Sequence, residues 1–448
     1  MASADWLGSR PVFYNLKTGR FGPRIFDAVD QTAIEIDKAG LGDYLRFGYS
    51  VFGHTPVKDV RFLRPNQRLV QTEEGRLVVE QGSFDLLDKW RSITTTEPDA
   101  LDRFYSWKPR ALEGGREILP LSGGLDSRMI LSHRLAAGKR PSCFTYGTSR
   151  RQVDSIEIEI AQRIAGQAGC SWQSVDLRGF HNEIPWWWEN FGPAVHLHGM
   201  YQVRFFQRLQ QVMGRGVILS GLVGDIWAGS ITCPPVHRPV DLLAYGLSRG
   251  LTVDDGHFVT DFIETNLEEE FISVKDRLRH EVDQIVYMIQ TKMLLLSYLI
   301  SVPEHYGFLV DAPFLDQEIA LSFATINQER RVNRQWQRDH LSRVDLDLVP
   351  KSKGVSHALL DLGELERHPL EPLNPTLLGK FVRVDFVEWV NSMVTRIPWQ
   401  DRLWMRLIEF QRVLPELGQR IRRPDPQEAY AAYLCLWPLQ KLLELDAA

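Results

Sequence analysis

The run Glu117-Ile118-Leu119-Pro120-Leu121-Ser122-Gly123-Gly124-Leu125-Asp126-Ser127-Arg128 constrains this chain more than any other. It reads as a strand, a tight glycine turn and a helix that opens directly on the turn. Glycines let backbone N–H groups approach a phosphate closely, the helix N-terminus adds positive potential, and serine hydroxyls donate further hydrogen bonds. A turn of this kind suits a pyrophosphate. Asp126 sits among those donors, where a carboxylate repels phosphate unless a divalent cation lies between them, so it reads as a Mg²⁺ ligand. An ordinary strand-to-helix turn does not need so restrictive a pattern as S-G-G-x-D-S.

From Glu117 onward strands alternate with amphipathic helices, the mark of an open parallel sheet with helices on both faces. Glu117–Leu121 is the first strand, Ser142–Tyr146 the second, Trp172–Leu177 the third and Val217–Ser220 a fourth. Between them, Ser127–Ala137 has helical periodicity and stops at Gly138, and Asp154 with Glu157 starts a helix that runs to about Gly169. Beyond residue 235 the chain is mainly helical, with Leu278–Ile300 and Phe314–Ala324 as the clearest segments. Residues 1 to about 90 read instead as short strands and turns, such as Pro11–Asn15 and Arg68–Thr72. The polar stretch Ile93–Asp99 looks like a connection, so the expected units are 1–105, small and β-rich, and 106–448. Trp186-Trp187-Trp188 on a helix point in different directions and fit core packing better than a stacking platform.

With 52 Lys plus Arg against 57 Asp plus Glu the net charge is −5, which carries no electrostatic footprint for nucleic acid. Cys143, Cys170, Cys233 and Cys435 lack the short paired spacings of a zinc or redox site. The opening MASADWLGSRP has no basic segment followed by an apolar run, and Met293–Val302 falls short of the roughly 20 residues a membrane span needs. The expectation is a soluble cytoplasmic protein with no membrane partner.

At this point the chain resembles the asparagine synthetase and β-lactam synthetase family of ATP pyrophosphatases. The resemblance rests on Ser122–Ser127, on Phe144-Thr145-Tyr146-Gly147, and on Ser220-Gly221-Leu222-Val223-Gly224-Asp225. It continues through Ala312-Pro313-Phe314-Leu315-Asp316 and Pro350-Lys351-Ser352-Lys353-Gly354, in the family order over residues 117 to about 357. It implies an adenine-nucleotide α-hydrolase-like sheet, with ATP held by Leu121, Ser122, Gly123, Gly124, Asp126, Ser127, Thr145, Tyr146, Ser220 and Gly221. By the same resemblance Asp126 and Asp225 hold Mg²⁺, and Lys353, with Lys351 as a rival, stabilises charge on the phosphates.

The departures are as informative. Glutamine-dependent members begin on a cysteine nucleophile, whereas here no cysteine precedes Cys143, and Leu41–Leu69 is similar only to the closing third of a glutaminase domain. Nitrogen must then come from elsewhere. Leu222 stands where members carry a glutamate or tyrosine that helps deprotonate the attacking amine; Asp254, Asp255, His257, His196 and His198 are candidate substitutes. Arg128 can serve the phosphates, a substrate carboxylate or a structural carboxylate. The expected activity is AMP-forming amide ligation through an acyl-adenylate, acting on a small acid of a polysaccharide or secondary-metabolite pathway. The alternatives are a macrolactam cyclase like that of lasso-peptide maturation, working beside other enzymes of its pathway, and a non-catalytic nucleotide-binding partner protein.

Overall fold

The computed structural model describes residues 1–30, 34–82, 87–246, 248, 251, 264–348, 359–410 (407–410 as backbone only) and 425–446. Five strands make one parallel sheet: β1 (Arg116–Pro120), β2 (Ser142–Thr145), β3 (Trp172–Ser174), β4 (Gly216–Leu219) and β5 (Leu309–Asp311). Their spatial order is β5-β4-β1-β2-β3, and each neighbouring pair is parallel, with Ile118 of β1 opposite Ser142 on one side and Ile218 on the other. Ile118, Leu119, Val217, Ile218 and Leu219 are all buried, the near-continuous apolar reading of strands covered on both faces.

The order has a direct consequence for function. The chain moves outward from β1 to β3, then returns to the far side of β1 to lay down β4 and β5. The connections that leave β1 and β4 therefore diverge, and the crevice between them at the carboxyl ends of the strands is where open sheets of this kind bind ligands. The helices that follow are α1 (Leu125–Ala136), α2 (Ile156–Gln167), α3 (Met200–Met213), α4 (Gly224–Ala228), α5 (Glu281–Leu296), α6 (Tyr298–His305) and α7 (Gln335–Arg343). With right-handed crossovers the reversal sends α1 and α2 to one face and α3 and α6 to the other. The packing of α3 on α6 agrees with that arrangement.

The first hundred residues hold two small antiparallel sheets, Ala2–Ser3 with Gln67–Gln71 and Leu77–Gln81, and Phe13–Asn15 with Arg20–Gly22 and Arg61–Phe62. Phe13, Ile25, Tyr44, Phe47 and Tyr49 lie in the same buried cluster as the parallel sheet. The Tyr44 hydroxyl donates to the Cys435 carbonyl (2.9 Å) and the Tyr49 hydroxyl to that of Gly246 (2.6 Å).

Several boundaries differ from the sequence expectation. Only the first part of Ile93–Asp99 is irregular: Thr96 caps a helix over Glu97–Tyr105 by accepting from the Asp99 N–H, with a proline in the first turn. Thr, Pro and Asp mark helix starts as readily as loops, and periodicity over so short a helix is faint. Its Phe104 stacks on Phe314 at 5.7 Å. The cap of α2 is Ser155 rather than Asp154, and α1 begins at Leu125, two residues early. Beta-strand β3 ends at Ser174, short of Leu177. The apolar run is also longer than the sequence suggests. Glu281–His305 spans 25 residues and its most apolar 18-residue window has mean hydropathy 1.6, enough by length and composition to cross a membrane, and 67% of that window is buried inside the protein. Glu281, Asp283 and Lys292 mask that length in the sequence. The tryptophan run behaves as expected: Trp187 is fully buried, while Trp186 stacks on Tyr306 and Trp188 meets Phe26 and Trp437 edge-on.

One buried acid away from the sheet yields a pH prediction. Asp43, on the helix Lys38–Phe47, accepts from the Asn266 side chain at 2.7 Å, and burial pushes its carboxyl up to about 7 against the opposing pull of that hydrogen bond. A folded value above the unfolded one, near 3.9, means the stabilising contribution is complete below about pH 4 and lost as pH rises through about 7. Asp43→Asn is expected to remove about 2 kcal/mol of the stability change between pH 5 and pH 8. An equal change in urea-derived stability between pH 5 and pH 8 for the two proteins defeats this assignment.

Candidate nucleotide and metal site

The turn after β1 is held by its own hydroxyls. The Ser122 N–H donates to Ser127 Oγ at 3.2 Å, Ser127 Oγ reaches the Gly124 carbonyl at 3.2 Å, and the Gly124 N–H donates to Ser122 Oγ at 3.1 Å. Gly124 is the extended N-cap of α1 and no side chain caps that helix, which leaves its N-terminus open to an anionic ligand. An added Cβ on Gly123 would lie 3.2 Å from the terminal methyl of Ile160, a tight contact that a shift of a few tenths of an ångström in that side chain relieves.

The turn after β4 closes over the same place. The Ser220 N–H donates to the Asp311 carbonyl of β5, the Leu222 N–H donates to Ser220 Oγ at 3.3 Å, and the Gly224 N–H to the Gly221 carbonyl at 3.1 Å. Val223 is left-handed at φ 56°, a backbone cost of roughly 1–2 kcal/mol for a residue with a Cβ. A Cβ on Gly221 would lie 3.2 Å from Asp126 Cβ, and one on Gly224 would lie 3.1 Å from Asp126 Cγ. Asp126, from the first turn, is thus packed directly against the second. Asp225 follows, its Oδ2 accepting from Ser230 Oγ at 3.0 Å.

Two residues without a sequence signal complete the cluster. Arg334 Nη1 lies 3.5 Å from both Asp126 carboxylate oxygens, and Gln337 Nε2 donates to Oδ1 at 3.2 Å. Burial pushes the Asp126 carboxyl up to about 6; Arg334 and Gln337 pull it down while Asp225 pushes it up. Lys292 of α5 is half-buried and, among the described residues, has no hydrogen bond or ion pair. Burial draws its ammonium down, while Asp225 and then Cys233 draw it up. Nothing in the string RRVNRQWQR marks Arg334, because its position follows from a turn in space rather than a periodicity.

The remaining candidates divide. Thr145 and Tyr146 stand at the end of β2 with side chains already engaged: Thr145 Oγ1 donates to the Leu121 carbonyl and accepts from Trp172 Nε1, and the Tyr146 hydroxyl accepts from Gln202 at 3.0 Å. Arg128 is structural, its guanidinium donating to the Gly123 carbonyl at 2.6 Å and lying 3.3 Å from Asp347. Of the substitutes for Leu222, His196 Nδ1 accepts from the His198 N–H and His198 sits 3.9 Å from Asp361. Both histidines connect through Tyr201 to Tyr146 at the β2 end, whereas Leu222 follows β4. Lys351, Lys353, Asp254, Asp255 and His257 lie outside the described residues. Leu222 itself is buried.

The donor set suits a cation completed by its ligand. Among the described residues no three His, Cys, Asp or Glu side chains converge on one point, so an all-protein metal cage is absent from them. Two carboxylates beside a phosphate-type turn are instead what Mg²⁺ uses when polyphosphate oxygens and waters supply the rest. A cavity of about 350 Å³ lies elsewhere, lined by Trp90, His280, Asn327 and others and by none of the residues of the two turns. Its arginines are engaged, Arg91 with Asp283 and Arg331 with Glu281. Compared with known proteins, the chain matches no protein-family model and none of the curated proteins.

Proposed function

We propose that this protein is a Mg·ATP-dependent, AMP-forming amide ligase. One observation carries the reading: two glycine turns, from the strands that flank the reversal of the sheet, bring Asp126 and Asp225 together beside an uncapped helix N-terminus. Mg²⁺ held by these two carboxylates would supply charge neutralisation to the phosphates. The turn at Ser122–Ser127 binds the polyphosphate through backbone N–H groups and hydroxyls, and the crevice orients a substrate carboxylate toward the α-phosphate. That carboxylate oxygen bonds to the α-phosphorus as pyrophosphate departs; an amine then bonds to the acyl carbon as AMP departs, and the amine's proton passes to a base. Leu222 cannot be that base.

The test is release of pyrophosphate and AMP from Mg·ATP against small carboxylic acids and against peptides with a free N-terminus and an internal Asp or Glu. Release dependent on one class of acid is the expected result and identifies the acyl donor; a peptide donor selects macrolactam formation. ATP binding with no release from any acid overturns ligation in favour of a nucleotide-binding partner protein, and no ATP binding overturns the whole reading.

A further inference from the structure

Arg334 occupies a position that the proposed reaction needs for something else. Its guanidinium sits against both oxygens of Asp126, the residue packed under the second glycine turn, while Gln337 of α7 holds the same carboxylate from the side. This placement is built rather than incidental. Asn333 and Arg334 are consecutive residues in the left-handed region, at φ 53° and 57°, and the chain on either side is fixed. Before the turn, Arg331 is buried, donates to the Ile326 carbonyl and pairs with Glu281. After it, Trp336 is fully buried and its Nε1 donates to the Ala228 carbonyl at 3.1 Å, tying α7 to the end of α4. The strained turn between these anchors aims one cation at Asp126, the member of the acid pair under the second turn.

We infer that Arg334 is the resting-state counterion of the acid pair, so that the nucleotide-free protein refuses a free divalent cation at Asp126 and admits metal only together with a polyphosphate. This rests on the nucleotide-binding reading above. A guanidinium and a divalent cation compete for the same carboxylate oxygens, and two positive centres at that distance repel one another. A polyphosphate brings the negative charge that draws the guanidinium away while it carries the metal in.

The experiment is Mn²⁺ binding to the full chain by equilibrium dialysis, with and without ATP at the same concentration on both sides so that Mn²⁺ chelated by free ATP cancels, and with no acid substrate present. Wild type is expected to bind Mn²⁺ weakly alone and at least tenfold more tightly with ATP. Arg334→Gln and Arg334→Met should each bind Mn²⁺ alone at least tenfold more tightly than wild type, and adding Asp126→Asn to either should abolish the gain. Melting curves for both variants verify that they are folded. Tight Mn²⁺ binding by nucleotide-free wild type, or equal affinities for wild type and both variants, overturns the inference. If ATP still promotes Mn²⁺ binding in that case, nucleotide binding stands and only the role of Arg334 falls. If ATP and Mn²⁺ bind to none of the proteins, both fall together.

Discussion

Asp126→Asn is expected to lower acid-dependent pyrophosphate release by about 10³-fold or more, through the loss of a charged metal ligand where the phosphate charge must be neutralised. The same substitution should leave the fold intact and raise its stability at pH 8 by about 1 kcal/mol. The two effects have one cause. Burial pushes the Asp126 carboxyl up to about 6, so above that pH the protein holds an anion it would be more stable without, only partly offset by Arg334 and Gln337. Asparagine keeps the shape and an acceptor for Gln337 while removing the charge. Pyrophosphate release and urea midpoints measured on the same preparations check both halves. Activity within tenfold of wild type removes Asp126 from the chemistry, and a variant less stable than wild type makes its role structural.

The parallel sheet was legible in the sequence because β1, β2 and β4 carry short apolar runs followed by glycine turns, and each of the four predicted strands from Glu117 onward exists within a few residues. Beta-strand β5 was not, since Leu309–Asp311 is too short and too close to the preceding helix to carry a period. The strand order, and with it the crevice, is a property of tertiary pairing that no local pattern encodes. The site divides the same way. Ser122–Ser127 and Ser220–Asp225 announce themselves through turn chemistry. Arg334, Gln337 and Lys292 reach Asp126 or Asp225 from α5 and from the turn and helix at 332–343, segments whose arginines, lysine and glutamine look in sequence like any solvated helix face. Arg128 shows the converse: it stands beside the motif in sequence, yet its guanidinium serves the Gly123 carbonyl and Asp347.

Gly224→Ala is expected to destabilise the protein by about 3 kcal/mol and to abolish pyrophosphate release with it. The added Cβ would lie 2.7 Å from the Phe314 ring and 3.1 Å from Asp126 Cγ, and neither neighbour can withdraw. Phe314 is fully buried and stacked on Phe104, which anchors the helix Glu97–Tyr105, while its carbonyl accepts from Trp227 Nε1 at 2.9 Å. Asp126 is held on its far side by Arg334 and Gln337. Overpacking here therefore displaces either a core aromatic or the metal ligand. The same exchange at Gly166, inside α2 where a Cβ would meet nothing within 4 Å, should instead stabilise by about 0.5–1 kcal/mol through helix propensity and reduced unfolded-state freedom. Urea titrations of the pair separate the two causes: opposite signs follow if contact with Phe314 and Asp126 decides the outcome at Gly224. A Gly224→Ala protein as stable as wild type means that the second turn is looser than its hydrogen bonds imply, and that Asp126 does not depend on it for position.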